Sequence, residues 1–444
     1  MKATPLRKYA IVVAGIAVAF GFFVAMSVAP TGVQAQTTII AVPDVAPLPP
    51  APFTDARIVN IGRQMYFDKL LAADGQQGCK LCHDPKLGWA HDKQISPGYP
   101  GTMHFRNSQS VINTAFRDGG YLGQTGLWGG LSAAIQYKWS SAYFLARDGR
   151  LVVQVWRAFP GYMNMWKEVY GHMPSFPTMR DSLVEFTKTI VSKDVPMDAF
   201  IQGNDEAMSA MAKNGLNLFK GKARCILCHN GALLSNEKFH NLMVPKNPIV
   251  DIDPLMQVAR RFEFRNLATP GNDVWCRGNV PDLVDYQPQP CSQGREPMFD
   301  MGHMTVTKDW DDLHKFKTAM LRDVSRTPPY GHNGMMGSSL EEVVEFYNKG
   351  GGAMWQPTHV HFAKMVKDPQ IKPLGLTTGE RADLVAFLDE GLTGSEFVVE
   401  TVIAFPPPQP RPVQSSLMYE TNWTHLKSDK YGKGEAIDTL HGHK

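Results

Sequence analysis

Cys79-Lys80-Leu81-Cys82-His83 and Cys225-Ile226-Leu227-Cys228-His229 decide how this chain is read. Both have the form C-x-x-C-H. Two thiols three positions apart reach the two vinyl groups of one porphyrin, and the histidine that follows meets the iron from the same face. The pattern arises by chance roughly 0.003 times in a chain of this composition, so two copies predict two covalently attached haem c groups with His83 and His229 as iron ligands. A shared zinc fits poorly: zinc ribbons set their cysteine pairs about 15–20 residues apart, and these pairs lie far further from each other. A redox dithiol needs a βαβ setting that neither neighbourhood offers.

Working outward, each motif follows a stretch with helical periodicity. Ile58, Ile61, Met65 and Tyr66 mark a helix within 54–71, and Met208, Met211, Leu216 and Phe219 mark one within 207–220. Capping boxes open two later helices, Ser339-Leu340-Glu341-Glu342 through Tyr347 and Thr377-Thr378-Gly379-Glu380 through Leu388. Alternating strand patterns are few. The reading is a mainly α chain of two cytochrome c-like haem domains packed against each other, 36–200 and 201–396, followed by a Pro-rich and polar tail at 397–444. His441 and His443 in that tail read as solvated.

Composition agrees. With 444 residues, 43% of them hydrophobic, the chain has the apolar surface for more than one core, which excludes a disordered or fibrous protein. A net charge of +3 argues against nucleic acid as a partner. Thirty-two Pro, 39 Gly and 22 Met predict long irregular connections and adaptable packing around a large flat cofactor. Lys2, Arg7 and Lys8 precede an uncharged apolar run from Tyr9 to Ala29, and Val33-Gln34-Ala35 offers a cleavage site. Residues 1–35 therefore read as a signal peptide or an N-terminal anchor, the run being long enough to span a bilayer. The rest is expected in the periplasm or otherwise exported, touching a membrane only if the segment stays uncleaved. Cys276 and Cys291, in a Gly/Pro/Asn-rich stretch, are expected to form a disulfide.

The segments around the second motif carry a resemblance. Gly215 to Gly231, Lys238-Phe239-His240-Asn241-Leu242, Phe316 to Val324, Thr327-Pro328-Pro329-Tyr330-Gly331-His332-Asn333-Gly334 and Leu340 to Gly351 are similar to the bacterial di-haem cytochrome c peroxidase and MauG family, with looser matches at Cys79–Pro85 and Arg106–Phe116. The resemblance implies an enzyme, a peroxidase-like oxidoreductase with two haem c groups and one calcium ion. It makes His83 the ligand of the haem that meets the oxidant and His229 that of the relay haem. It places Tyr347 as second ligand of the relay iron, where MauG has a tyrosine and the peroxidases a methionine; a tyrosinate would lower the iron's potential. His332, Met335 and Met336 are rival ligands. Asn107, Thr327 and Pro329 fall at the family's calcium positions, offering an amide oxygen and backbone carbonyls. Trp128 falls about where the family carries electrons between haems, with Trp139 as its competitor.

The chain also departs from the family. Ser96-Pro97-Gly98-Tyr99-Pro100-Gly101-Thr102-Met103-His104 lacks the Gly-His-Gly setting of the displaceable distal ligand. His104 reads as a loop residue, and the first site as open or water-bound. The family's distal glutamate is missing too, and Asp148 is the only carboxylate between Asp118 and Glu168, which makes it the substitute acid–base candidate beside its reading as a turn residue. The function expected is reduction of hydrogen peroxide or a related small oxidant, supplied by a small electron-donor protein such as a cytochrome c or cupredoxin. The alternatives are a di-haem subunit of a larger redox complex acting on nitrogen oxides, like that of hydrazine synthase, and a non-catalytic electron carrier.

Overall fold

The computed structural model describes residues 43–251 and 300–397, except 53, 99–102, 105, 118–119, 142–143 and 354–364. The expected export segment, Cys276, Cys291 and the tail from 398 lie outside the described residues. Two large apolar cores form among the described residues, with smaller clusters beside them. One draws on Ile61, Met65, Trp89, Trp139, Trp156, Trp166, Leu183, Phe186 and their neighbours, with Trp156 stacked on Tyr162 at 4.4 Å. The other is built from Val195, Met197, Leu216, Phe219, Leu340, Val344, Leu384 and Phe387, joined by Val45 from far upstream. Both belong to one compact unit that begins at Val42.

Helices supply most of the first core. Asp55 caps α1 (Ala56–Phe67) by accepting the Arg57 N–H, and Asp68 ends it and caps the following 3-10 turn, which is why the expected helix over 54–71 comes in two pieces. A single turn, α2 (Cys79–Cys82), carries the first motif. Then come α3 (Leu131–Ser140), α4 (Gly149–Arg157), α5 (Pro160–Tyr170) and α6 (Phe176–Lys188), the last opened by a reciprocal box between Ser175 and Thr178. Gly62 lets α1 and α6 meet at backbone distance: a Cβ there would lie 1.9 Å from the Ser182 carbonyl oxygen.

The second core repeats the scheme. After α7 (Pro196–Ile201), α8 (Ala210–Lys220) starts at the Ser209 cap and leads into the second motif, and the short α9 (Met304–Thr307) precedes α10 (Leu340–Asn348) and α11 (Thr378–Ala386). Gly215 of α8 packs on α11, where a Cβ would stand 2.0 Å from the Asp383 carbonyl oxygen. Thr377 and Glu380 form the full box expected of them, and α11 ends in a π-helical turn at Phe387–Gly391. At α10 the box is half made: Ser339 accepts the Glu342 N–H, but the Glu342 carboxylate takes the Ser338 N–H instead of returning to Ser339. Strands among the described residues are two short antiparallel pairs, β1 (Tyr121–Leu122) with β2 (Trp128–Gly129) and β3 (Phe239–His240) with β4 (Phe316–Lys317).

Candidate haem sites and the cavity between them

At the first motif the turn of α2 brings Cys79 and Cys82 to one side, and the His83 N–H closes it on the Cys79 carbonyl at 3.0 Å. The Tyr66 hydroxyl donates to the His83 carbonyl at 2.9 Å, and His83 Nδ1 lies 3.2 Å from the Trp89 carbonyl oxygen. An Nδ1–H spent on a carbonyl leaves the Nε2 lone pair for a metal. Burial pushes the imidazole's pKa down to about 4, so the ring is neutral at neutral pH, as a ligand must be. Burial also pushes the Cys79 thiol up to about 12 and Cys82 to about 11, the opposite of the low-pKa thiolates of redox dithiols.

The second motif repeats the arrangement. The His229 N–H donates to the Cys225 carbonyl at 2.8 Å, and its Nδ1 lies 3.0 Å from the Leu234 carbonyl oxygen. Burial sets its pKa at about 4 and raises Cys225 to about 12 and Cys228 to about 11. Two protonated thiols on one turn beside a neutral, oriented imidazole form a donor set that fits a covalently held haem.

A cavity of about 300 Å³ opens under this second motif, walled by Phe219, Leu340, Val343, Val344 and Leu384. Tyr347 lines it from α10, its phenol pushed above its ordinary range by burial and by the neighbouring Cys225 and Cys228. Of the rival ligands, His332 and Met336 also face the cavity, but the His332 ring is stacked on Phe316 at 3.6 Å. Asn107, Thr327 and Pro329 line the same cavity toward the N-terminal core, and Asn107 is anchored there by its N–H to the His332 carbonyl at 2.7 Å and its Nδ2 to the Lys93 carbonyl at 3.0 Å.

The β1–β2 hairpin spans the two halves. Its Gln124 carbonyl accepts from the Lys317 N–H at 2.8 Å, Gly126 lies against the Phe239 ring, and Lys317 Nζ donates to the Tyr121 carbonyl. Trp128 sits on this hairpin with its ring 5.4 Å from Tyr137, and its indole nitrogen is buried without a hydrogen-bond partner among the described residues. Trp139, its competitor, is a core residue: fully buried, its indole N–H on the Leu71 carbonyl at 3.2 Å.

One expectation is revised. Asp148 stands at the surface as the N-cap of α4; hydrogen bonds from Arg150 hold its carboxyl at about 2, so its role is capping. His104, read as a loop residue, lies outside helix and strand and is buried, with its ring 4.7 Å from Phe144. Sequence reasoning gave no role to Lys138, whose ammonium lies over Trp128 and Phe144, or to the His240–Asp368 pair at 2.6 Å beside Cys228. Lys138 is one turn-forming helix residue among many, and only the fold turns it inward. His240 did carry a signal, since it lies in a segment that resembles the family.

Residues 56–206 match the model of the family described as di-haem cytochrome c peroxidase. The cytochrome-c peroxidase IdrP1 of Denitromonas iodatirespirans is 36% identical over 359 residues, 78% of this chain and 86% of that one. The methylamine utilization protein MauG of Methylorubrum extorquens is 27% identical over 354 residues, 78% and 81% of the two chains. Among solved structures, a MauG-like protein associated with microbial copper homeostasis aligns with a TM-score of 0.60 at 22% identity, over 84% of this chain and 97% of that one, so the two share a fold.

Proposed function

This chain belongs to the di-haem cytochrome c peroxidase family, peroxidase-type oxidoreductases whose haem c is covalently bound, and from that we propose an exported enzyme that reduces hydrogen peroxide or a related small oxidant. Cys79, Cys82 and His83, in a domain over 36–200, hold the haem that meets the oxidant. Cys225, Cys228 and His229, in a domain over 201–396, hold the one that hands on electrons. The observation that carries this reading is the duplicated donor set, two half-buried cysteines and a neutral imidazole whose Nδ1 is tied to a backbone carbonyl. The bound haem supplies an iron that exchanges single electrons and activates peroxide.

The chain's own groups do the rest. The Trp89 and Leu234 carbonyls fix the tautomer of each ligating histidine. Tyr347 lines the second site and would be a further ligand there; burial disfavours its phenolate, so a bound cation would be needed to stabilise the deprotonated oxygen. Trp128, on the hairpin that touches both halves, is the electron bridge. Asn107, Thr327 and Pro329, which all line the cavity, are the calcium ligands. Asp148 takes no part. The donor is a small electron-transfer protein, a cytochrome c or cupredoxin.

Steady-state assays with hydrogen peroxide and a reduced cytochrome c or cupredoxin test the proposal. Saturable oxidation of the donor is expected, and protein carrying both haems that fails to turn over with either donor would overturn it.

A further inference from the structure

Two cations reach the cavity of the second motif from widely separated parts of the chain. Arg117 follows the 3-10 turn Thr114–Phe116 and Lys317 stands on β4, and both line the cavity that His229 and Tyr347 also line. Their side chains are nearly closed off from solvent, 6% and 2% exposed. They converge on one oxygen: Glu237 Oε2 accepts from Arg117 Nε at 2.9 Å and Nη2 at 2.8 Å, and lies 2.5 Å from Lys317 Nζ. The surrounding backbone fixes the cluster. Lys317 Nζ also donates to the Tyr121 carbonyl of β1, and the Glu237 N–H donates at 3.1 Å to the hydroxyl of Ser235, the neighbour of the Leu234 whose carbonyl orients His229. Burial and the nearby Arg117 push the Lys317 pKa below its ordinary value even with Glu237 beside it.

As a tie between the two halves alone, such a cluster is an expensive choice, because desolvating each ion offsets much of the attraction. On a cavity wall it has a further use. A haem carries two carboxylates on an otherwise apolar ring, and this cavity offers apolar walls from Phe219, Val344 and Leu384 together with the two cations. Charge-assisted hydrogen bonds from guanidinium and ammonium groups are about twice as strong as neutral ones. A carboxylate brought into the cavity would also favour the Lys317 ammonium that burial opposes. We infer that Arg117 and Lys317 clamp the propionates of the haem held at the second motif, with Glu237 holding the two cations together and tempering their charge. Positive charge beside a buried haem favours the ferrous over the ferric state, so the clamp also raises that haem's potential.

This inference rests on the second motif holding a haem, and its test separates the two. Protein with both haems attached is titrated with a reductant, followed by absorbance and electron paramagnetic resonance, and its propionate bending bands are recorded by resonance Raman. Arg117→Gln and Lys317→Gln are each expected to shift those bands and to lower one midpoint potential by about 59 mV, a tenfold change in a one-electron equilibrium. The potential that moves is the one that persists when Cys79 and Cys82 are both replaced by serine. Glu237→Gln is expected to raise the same potential, and Lys317→Arg, which keeps the charge, to leave it within about threefold in that equilibrium. Unchanged bands and potentials in both neutral cation variants would overturn the inference. So would shifts of one sign in all three neutral variants, which mark a merely structural role. Wild-type protein that carries haem at the first motif alone would overturn the site reading and the inference with it.

Discussion

His83 and His229 each commit Nδ1 to the carbonyl of a residue a few positions downstream, Trp89 and Leu234, and each sits where burial keeps the ring neutral. The motif spells out the thiols and the imidazole; the carbonyl that orients the ring comes from a loop whose path the sequence does not announce. Asp300 shows the same limit. Its carboxylate receives Arg106 through two hydrogen bonds, 2.6 and 2.9 Å, across 194 positions of chain, with both groups nearly closed off from solvent. Burial pushes the Asp300 carboxyl up, but the Arg106 guanidinium, with the Gly302 N–H, more than offsets that and holds it below the ordinary carboxylate range. Its folded pKa is therefore depressed, so the stability it contributes is present above the unfolded value near 4 and is lost as pH falls below it. Asp300→Asn leaves the arginine buried without its counter-charge and should cost about 3–5 kcal/mol at pH 7. Denaturant titrations at pH 7 and at pH 3 check this: the gap between wild type and variant should narrow in acid, and a gap independent of pH would remove the electrostatic explanation.

One device serves both halves at the level of elements. A helix that precedes a motif, α1 or α8, crosses a later helix, α6 or α11, at a glycine whose missing side chain admits the partner's backbone. A glycine inside a helix costs about 1 kcal/mol against alanine, so Gly62 and Gly215 are kept by the crossing and not by helix propensity. Gly215→Ala should reverse the usual sign: the added methyl meets the Asp383 carbonyl, and overpacking of this kind costs about 1–3 kcal/mol. A lowered thermal midpoint is expected, and a raised one would mean that the helices separate at no cost. The helices themselves were legible from apolar spacing and caps, since those are local properties. The crossings were not, because a glycine in a helical run reads the same whether it faces solvent or another backbone. Asp148 misled for a related reason: position along the chain says nothing about whether a carboxylate points into a site or caps a helix at the surface.

Across the whole molecule, two cores of similar plan meet around the β1–β2 hairpin and the cavity lined by Asn107, Thr327, Pro329, His229 and Tyr347. The duplication was readable because each motif comes with its own leading helix. How the halves join was not, since Arg106–Asp300, Lys317–Gln124 and Gly126–Phe239 pair residues far apart in sequence with no pattern linking them. The ammonium that Lys138 holds over Trp128 and Phe144 belongs to the same class of feature, set by the fold instead of by any local signature. The central claim is that each donor set holds its own haem. A pyridine haemochrome assay on protein made in a host that matures c-type cytochromes tests it most directly. Two haem c groups per wild-type chain are expected, and one remaining after Cys79→Ser with Cys82→Ser or after Cys225→Ser with Cys228→Ser; a wild-type chain with fewer than two, or a double variant that keeps both, would contradict it.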